Sequence, residues 1–599
     1  MSADRIKTTA GDLAAALANG TALLESQPAA AALQARAILH AAPTHLPALR
    51  LLARALDQLG EHAAAQEARG HALAVGARNP AVGAANRALN EGRHEAVAAL
   101  LADNLAADPD DPVTLLMLGE AATRSGRFGE AADLLRRALA AAPEYTPARL
   151  ALARALHRRF DPQAALAVLD GAPANTQDPV ALHRFRATLL AELDDYPGAA
   201  AVLAQLAAAN PGEAALLIQQ GDMLRSLGDK AAADAAYRRA IAAAPQHGRA
   251  WWALAAFDAA AFSADDIARL AQLHKSAADA DSAMHFAFAL GRVRDHQADY
   301  PAAFALFTQA NRLHRQLLPW DAAPFLRRNA ALMAAIDGGL ITSRAGWGAD
   351  DPAPIFITGL PRSGSTLIEQ MLSRHSQIAA GGEMPVIPAL LREAAASRNL
   401  DPETDIVALI ESFTRADVAA LGAEYLRRAR QRCGGAHAHF TDKLPHNWAE
   451  FAFIRLILPR AQFIDMRRDL ADCAMSNFAL LFAPGHPASY DLADFAAYAQ
   501  AYVSMTAAIT HHAPGAVVQV RYEELVRAPE PSLRAALGQL GLPFESDCLQ
   551  FDHSSRAVAT ASTEQVRRPL SAGSIGSWRR FAPFLGDFPE MLARITPRE

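Results

Sequence analysis

A chain of 599 residues is too long for one hydrophobic core, and its length corresponds to roughly three or four domain-sized units. With 51% apolar and 20% charged residues it reads as an ordinary globular protein, neither disordered nor membrane-spanning. A formal charge of −6 supplies no general attraction for nucleic acid, so any anion site must be a local cluster of arginines and lysines. Three widely spaced cysteines, Cys433, Cys473 and Cys548, exclude a full disulfide framework and any CxxC pair, and each reads as a buried apolar residue. The segment MSADRIKTTAGDLAAALANG has no continuous apolar core, and no stretch approaches ~20 uninterrupted apolar residues. The expectation is a soluble, cytoplasmic chain without a membrane span.

The first half repeats itself. Pro109, Pro143, Pro211 and Pro245 fit a period of 34, with one proline missing near Gln177. Small residues keep the same phase: Gly119, Ala153, Ala187, Gly221 and Ala255 form one series, and Ala131, Ala165, Ala199 and Ala233 another. Ala138 and Ala240 hold a third small position. Two antiparallel helices per repeat can approach closely only where side chains are small, and the proline ends the second helix before the next begins. The pattern extends upstream through Ala53, Ala65 and Ala72, slips by one residue at Ala96, and returns at Gly291, Ala303 and Ala310. It resembles the tetratricopeptide repeat (TPR) over about 300 residues. Such arrays present a concave groove to peptides or partner proteins, which implies acceptor capture, partner binding or a purely structural role for the arm.

Between Gly338 and Asp351 the helical period breaks, and GGLITSRAGWGADDPAP carries glycines and prolines instead. Residues 341–353 therefore read as a linker. It joins a repeat solenoid at 1–340, clearest over 46–316, to a second domain at 354–599. Ile355 to Thr358 read as a buried parallel strand, followed by the loop Gly359-Leu-Pro-Arg-Ser-Gly-Ser-Thr366 and the helical segment LIEQML. Strand, glycine loop and helix make a P-loop-like unit, in which backbone N–H groups converge on a phosphate. Where an NTPase carries the lysine for its β- and γ-phosphates, this chain has Ser365, and its cation, Arg362, lies inside the loop. The expected fold class is α + α/β: an all-α solenoid, then an α/β domain with a central parallel sheet.

PRSGST and its flanks resemble the 5′-phosphosulfate loop of sulfotransferases, and further segments agree in order. GGEMPVIP around Glu383 resembles the segment carrying the base in protein-tyrosine sulfotransferases. FTDKLPHNW places Lys443 like that family's active-site lysine. AQFIDMRRDLADCAMSNF resembles the 3′-phosphate segment, with Arg468 and Ser476 eight residues apart. VRYEEL around Tyr522 and STEQVRRP from Ser562 to Pro569 resemble the two later donor-binding segments. The whole resembles a bacterial TPR-containing sulfotransferase. That resemblance implies the donor 3′-phosphoadenosine 5′-phosphosulfate (PAPS), no metal, and a hydroxyl acceptor. The acceptor would be a protein tyrosine, a glycan or a small-molecule alcohol.

Under that resemblance Pro361, Arg362, Ser363, Gly364, Ser365 and Thr366 serve the 5′ end of the donor. Arg468 and Ser476 serve its 3′ end, and Tyr522, Ser562 and Arg567 complete its site. Arg362, Lys443 and the Ser562 hydroxyl would face the leaving oxygen, and Glu383 would take the acceptor proton. One position departs: the family's lysine before the tryptophan is Ser577 here, and Arg567, Arg568 and Arg579 are the candidates for that cation. Binding of the donor product is expected to need residues 345–599 alone. The competing readings are a P-loop nucleotide kinase or NTPase, which the serine at position 365 opposes, and a non-catalytic TPR scaffold. The histidines lack metal-ligand spacing.

Overall fold

The computed structural model describes residues 10–173, 179–482, 486–551 and 570–595. The chain divides into two compact units, Met1–Leu182 and His183–Glu599.

Among the described residues, the regular elements of the first unit are all helices. The pairs Pro112–Arg124 with Phe128–Ala141 and Thr146–Arg158 with Pro162–Asp170 show how the repeat is built. Its small positions are the contact points: Ala131, Ala153 and Ala165 are completely buried. A Cβ on Gly119 would stand 2.6 Å from Leu135, on the facing helix 16 residues later. The same offset recurs in the second unit. There a Cβ on Gly221 would meet the Tyr237 ring at 2.5 Å, and one on Gly291 the Phe307 ring at 2.5 Å. Each glycine thus makes room for a large side chain from its helical partner. The repeat prolines act as helix stops: Pro143, Pro211 and Pro245 each follow by two residues the helices ending at Ala141, Ala209 and Ala243.

The second unit joins the later repeat helices to a five-stranded, wholly parallel sheet. The strands are β1 (Pro354–Gly359), β2 (Ile378–Ala380), β3 (His439–Asp442), β4 (Gln462–Arg467) and β5 (Val517–Arg521), in the order β2-β3-β1-β4-β5. Every residue of β1 is buried, as expected of a central strand covered on both faces. The fold class is thus an all-helical TPR solenoid followed by an α/β domain with a central parallel sheet. No described helix is long and apolar enough to cross a membrane.

The repeat helices of this unit are built into the sheet domain rather than tethered to it. Arg328, on helix Ala322–Asp337, forms a buried two-pronged pair with Glu450 at 2.9 and 2.7 Å. Asn311 Nδ2 donates to the Phe478 carbonyl at 2.8 Å, and Phe304 stacks on Phe478 and Phe584. Arg580 clasps both oxygens of Asp295 at 2.9 Å. The glycine-rich segment after Asp337 is also packed down: a Cβ on Gly348 would stand 2.4 Å from the Leu456 carbonyl oxygen, and Ala349 N donates to the Ile457 carbonyl. Of the three cysteines, Cys473 and Cys548 are buried, whereas Cys433 is only partly so, and all are free thiols.

Candidate active site

In an open parallel sheet the crossovers from two adjacent strands leave in opposite directions at one place, and a crevice opens beyond their carboxyl ends. Here those strands are β1, whose chain leads over β3 to β2, and β4, whose chain leads to β5. The segment Leu360–Gly364 follows β1, and Arg468 follows β4.

The loop is held in an unusual backbone shape. Arg362 has φ of 68°, a left-handed conformation costly for a residue with a side chain. It persists because its neighbourhood is tied down: Arg468 Nη1 donates to the Arg362 carbonyl at 3.1 Å, and Asn477 Nδ2 to the Pro361 carbonyl at 2.9 Å. Gly364, with φ of 103°, has Tyr522 against it, where a Cβ would stand 2.5 Å from the ring. Ser365 and Thr366 open the helix Ser365–Leu372 and are buried. The Ser363 hydroxyl is buried without a hydrogen-bond partner. An unpaired buried hydroxyl is costly, and a ligand acceptor here would satisfy it.

Arg362, Arg468, Ser476 and Tyr522 come together. The Arg362 side chain reaches helix Leu470–Phe478, where its Nε donates to Ser476 Oγ at 3.0 Å. The loop arginine therefore lies at the end of the site expected for Arg468 and Ser476, leaving mainly the loop backbone and Ser363 for the other end. Arg468 spreads its guanidinium 4.6 Å above the Tyr522 ring, and its Nη2 donates to the Ser574 carbonyl at 2.6 Å. Tyr522 Oη and Ser574 Oγ share a hydrogen bond of 2.7 Å. Arg468 Nε is buried and unpartnered. Burial, reinforced by the charges of Arg468 and Arg292, lowers the Arg362 guanidinium to about 10, still cationic at neutral pH. Arg467, by contrast, turns away to pair with Asp465 at 2.8 Å.

Arg362, Arg468 and Ser476 open into a cavity of 790 Å³, within the range of about 300–1,000 Å³ usual for small-molecule sites. Its wall is not confined to residues 345–599: Arg225, Trp252, Arg292 and Asp295 of the repeat helices line it as well. A second cavity of 390 Å³ adjoins the loop at Ser363 and Arg468 and is also lined by Arg521 and Arg579. Of the cations considered for the family's missing lysine, Arg579 thus borders the site. Ser577 itself donates to Asp472 at 3.1 Å, and Asp472 also accepts from the backbone of Gly576 and Trp578. Ser562, Arg567 and Arg568 lie outside the described residues.

Glu383 and Lys443 follow the two strands beyond β1 in the sheet order. Glu383 follows β2 and is exposed; Lys443 follows β3 and is buried, with only 1% of its side chain accessible. Their side chains form an ion pair of 2.5 Å. Lys443 is therefore a buried cation, not a solvated surface lysine. Glu369, on the helix after the loop, positions this pair. Its Oε1 accepts from Gly382 N and Thr441 Oγ1, both at 2.9 Å, binding the segment before Glu383 to β3. Behind Lys443, burial raises the Asp442 carboxyl well above its ordinary value, while Tyr425 donates to it at 3.0 Å. Nothing in LIEQML marked Glu369 except a carboxylate on an otherwise apolar helix. Asn477, adjacent to Ser476, was equally silent.

A small aromatic cavity of 160 Å³ lies beside Pro361, lined by Trp320, Phe325, His446, His486 and Tyr498. The charges of Glu383 and Lys443 act on His486, which burial and Lys443 push below its ordinary value. The arrangement as a whole suits a ligand with two anionic ends over the loop and a second, less polar reactant beside the Glu383–Lys443 pair.

Residues 354–546 match the model of the sulfotransferase family, and tetratricopeptide-repeat models match residues 82–146, 122–189 and 186–248. The chain therefore has a TPR-containing sulfotransferase architecture. An uncharacterized protein of Aquifex aeolicus (strain VF5) is 30% identical over 311 residues, covering 51% of this chain and 41% of that protein. The chain thus spans well under half of that relative's length. Protein-tyrosine sulfotransferase 2 of Gallus gallus is 24% identical over 261 residues, 41% of this chain and 67% of that protein. Among solved structures, the sulfotransferase domain from the Synechococcus PCC 7002 olefin synthase covers 42% of this chain and 98% of its own, at 20% identity and a TM-score of 0.28.

Proposed function

We propose that this protein transfers the sulfuryl group of PAPS to an acceptor hydroxyl, with a protein tyrosine as the first acceptor class and a glycan or small-molecule alcohol as the second. The observation that carries the reading is the convergence of Arg362, Arg468 and Ser476 beyond the carboxyl ends of β1 and β4. PAPS differs from ATP in having a 3′-phosphate and a sulfate, so its site needs an anion cradle at each end. Arg468, with Nε unpaired, and Ser476 supply one end, and the loop with Ser363 the other. Ser365 in place of the Walker lysine disfavours an NTPase.

When bound, PAPS supplies an activated sulfuryl group for in-line displacement, a reaction helped mainly by positioning and charge stabilisation. Glu383 accepts the acceptor's proton. Lys443 holds the Glu383 carboxylate by its ion pair, and Glu369 fixes the segment that carries it. Charge developing on the leaving phosphate falls to the loop's backbone N–H groups and Ser363, because the Arg362 side chain is held by Ser476. The tyrosine reading draws support from the aromatic cavity beside Pro361 and from the protein-tyrosine sulfotransferases among the relatives. The arm is assigned to acceptor or partner binding. Transfer of radiolabelled sulfur from PAPS to tyrosine peptides, glycans and small alcohols tests the reading. Label in none of the three classes would overturn it.

A further inference from the structure

The 790 Å³ cavity holds five arginines: Arg362, Arg468 and Arg580 from the sheet domain, and Arg225 and Arg292 from the repeat helices. Its acidic lining residues are Asp258 and Asp295. Both are engaged: Asp295 is taken up by Arg580 through two bonds of 2.9 Å, and Asp258 caps its own turn by accepting from Ala260 N. Arg292 sits on helix Ala280–His296, one residue after Gly291, whose missing side chain lets Phe307 pack close and seats this helix. Among the described residues Arg292 has neither a hydrogen-bond nor an ion-pair partner, although it is half-buried. It lies close enough for its charge to act on Arg362, whose Nε is held by Ser476. Three cations facing one cavity repel each other unless an anion joins them.

We propose that Arg292 of the repeat array is a donor-site residue, contacting the 3′-phosphate of the donor together with Arg468 and Ser476. The inference rests on the PAPS reading above. It makes the arm a working wall of the donor pocket rather than an accessory confined to acceptor capture. The 3′ end is specified because Arg292 shares its cavity with Ser476, whereas Ser363 of the loop opens into the separate 390 Å³ cavity. Arg225 and Arg580 have other engagements, which leaves Arg292 as the arm cation for this contact.

The test compares adenosine 3′,5′-bisphosphate (PAP) with adenosine 5′-monophosphate, which lacks the 3′-phosphate, by calorimetric titration of the full chain. Arg292→Ala should weaken PAP binding by about 10- to 100-fold, as expected for loss of one charge-assisted contact, and leave the monophosphate unaffected. Arg292→Lys should recover part of the PAP affinity. Thermal midpoints without ligand identify a variant that is misfolded, and Arg292→Gln, which keeps much of the side chain's length, then replaces the alanine. Unchanged PAP affinity, or an equal loss for both nucleotides, would overturn the inference alone. If the unsubstituted chain failed to bind PAP, the donor reading would fall and this inference with it.

Discussion

Lys443 Nζ lies 2.5 Å from Glu383 Oε1, joining residues that follow two neighbouring strands of the sheet, β2 and β3. The lysine is buried and the glutamate exposed, so a fixed interior cation presents an accessible carboxylate beside the loop. If Glu383 is the base, Glu383→Gln should reduce turnover by about 10²–10⁴-fold. PAP affinity should be unchanged, because none of the contacts that hold Arg362 and Arg468 passes through Glu383. Steady-state rates and PAP titration on the same preparation check both halves. Full activity in the variant would remove Glu383 from the mechanism.

The repeat geometry makes a prediction independent of catalysis. Gly221→Ala places a methyl group 2.5 Å from the Tyr237 ring, which is buried and hydrogen-bonded through its hydroxyl to Asp222 at 2.8 Å. Overpacking of this kind costs about 1–3 kcal/mol, to be read from urea unfolding. Gly212→Ala, where nothing lies within 4 Å of the new Cβ, serves as the comparison and should differ little from the unsubstituted chain.

Acid should destabilise the fold through His446. Burial pushes its imidazole down to about 4, and Tyr498 Oη lies 2.7 Å from its Nδ1. The unfolded chain takes up a proton near the ordinary histidine value of about 6.5, whereas the folded chain resists it until about 4. Stability is therefore fully present above about pH 6.5 and falls as the pH drops from there to about 4. His486 and His314, also lowered by burial, act in the same direction. Unfolding midpoints across this range should decline less steeply for His446→Gln. Parallel curves for the two proteins would contradict the prediction.

What could be read in the sequence was what is local or periodic. The small residues at 34-residue intervals mark helix contacts because each repeat solves the same packing problem, and Gly221 has its large counterpart only 16 residues away. The strand-loop-helix unit at 354–372 is likewise contiguous. Convergence across long separations was less visible. The bond from Arg362 to Ser476 spans 114 residues and draws together groups expected at opposite ends of a ligand. Glu369 secures Thr441 across 72 residues, yet in LIEQML it resembles any polar break in an apolar helix. Arg292, in GRVRDH, looks like any solvent-facing arginine of a repeat until the helix is packed beside the loop.

The cavity beyond β1 and β4 is assigned here to a donor with a 3′-phosphate rather than to a nucleoside triphosphate. Calorimetric titration of the full chain with PAP and with ATP, repeated on Arg468→Ala, addresses this assignment most directly. Firm PAP binding, little ATP binding, and a loss of PAP affinity of about 10- to 100-fold in the variant are expected. ATP binding as tight as or tighter than PAP binding would contradict the assignment and return the chain to the nucleotide kinases and NTPases.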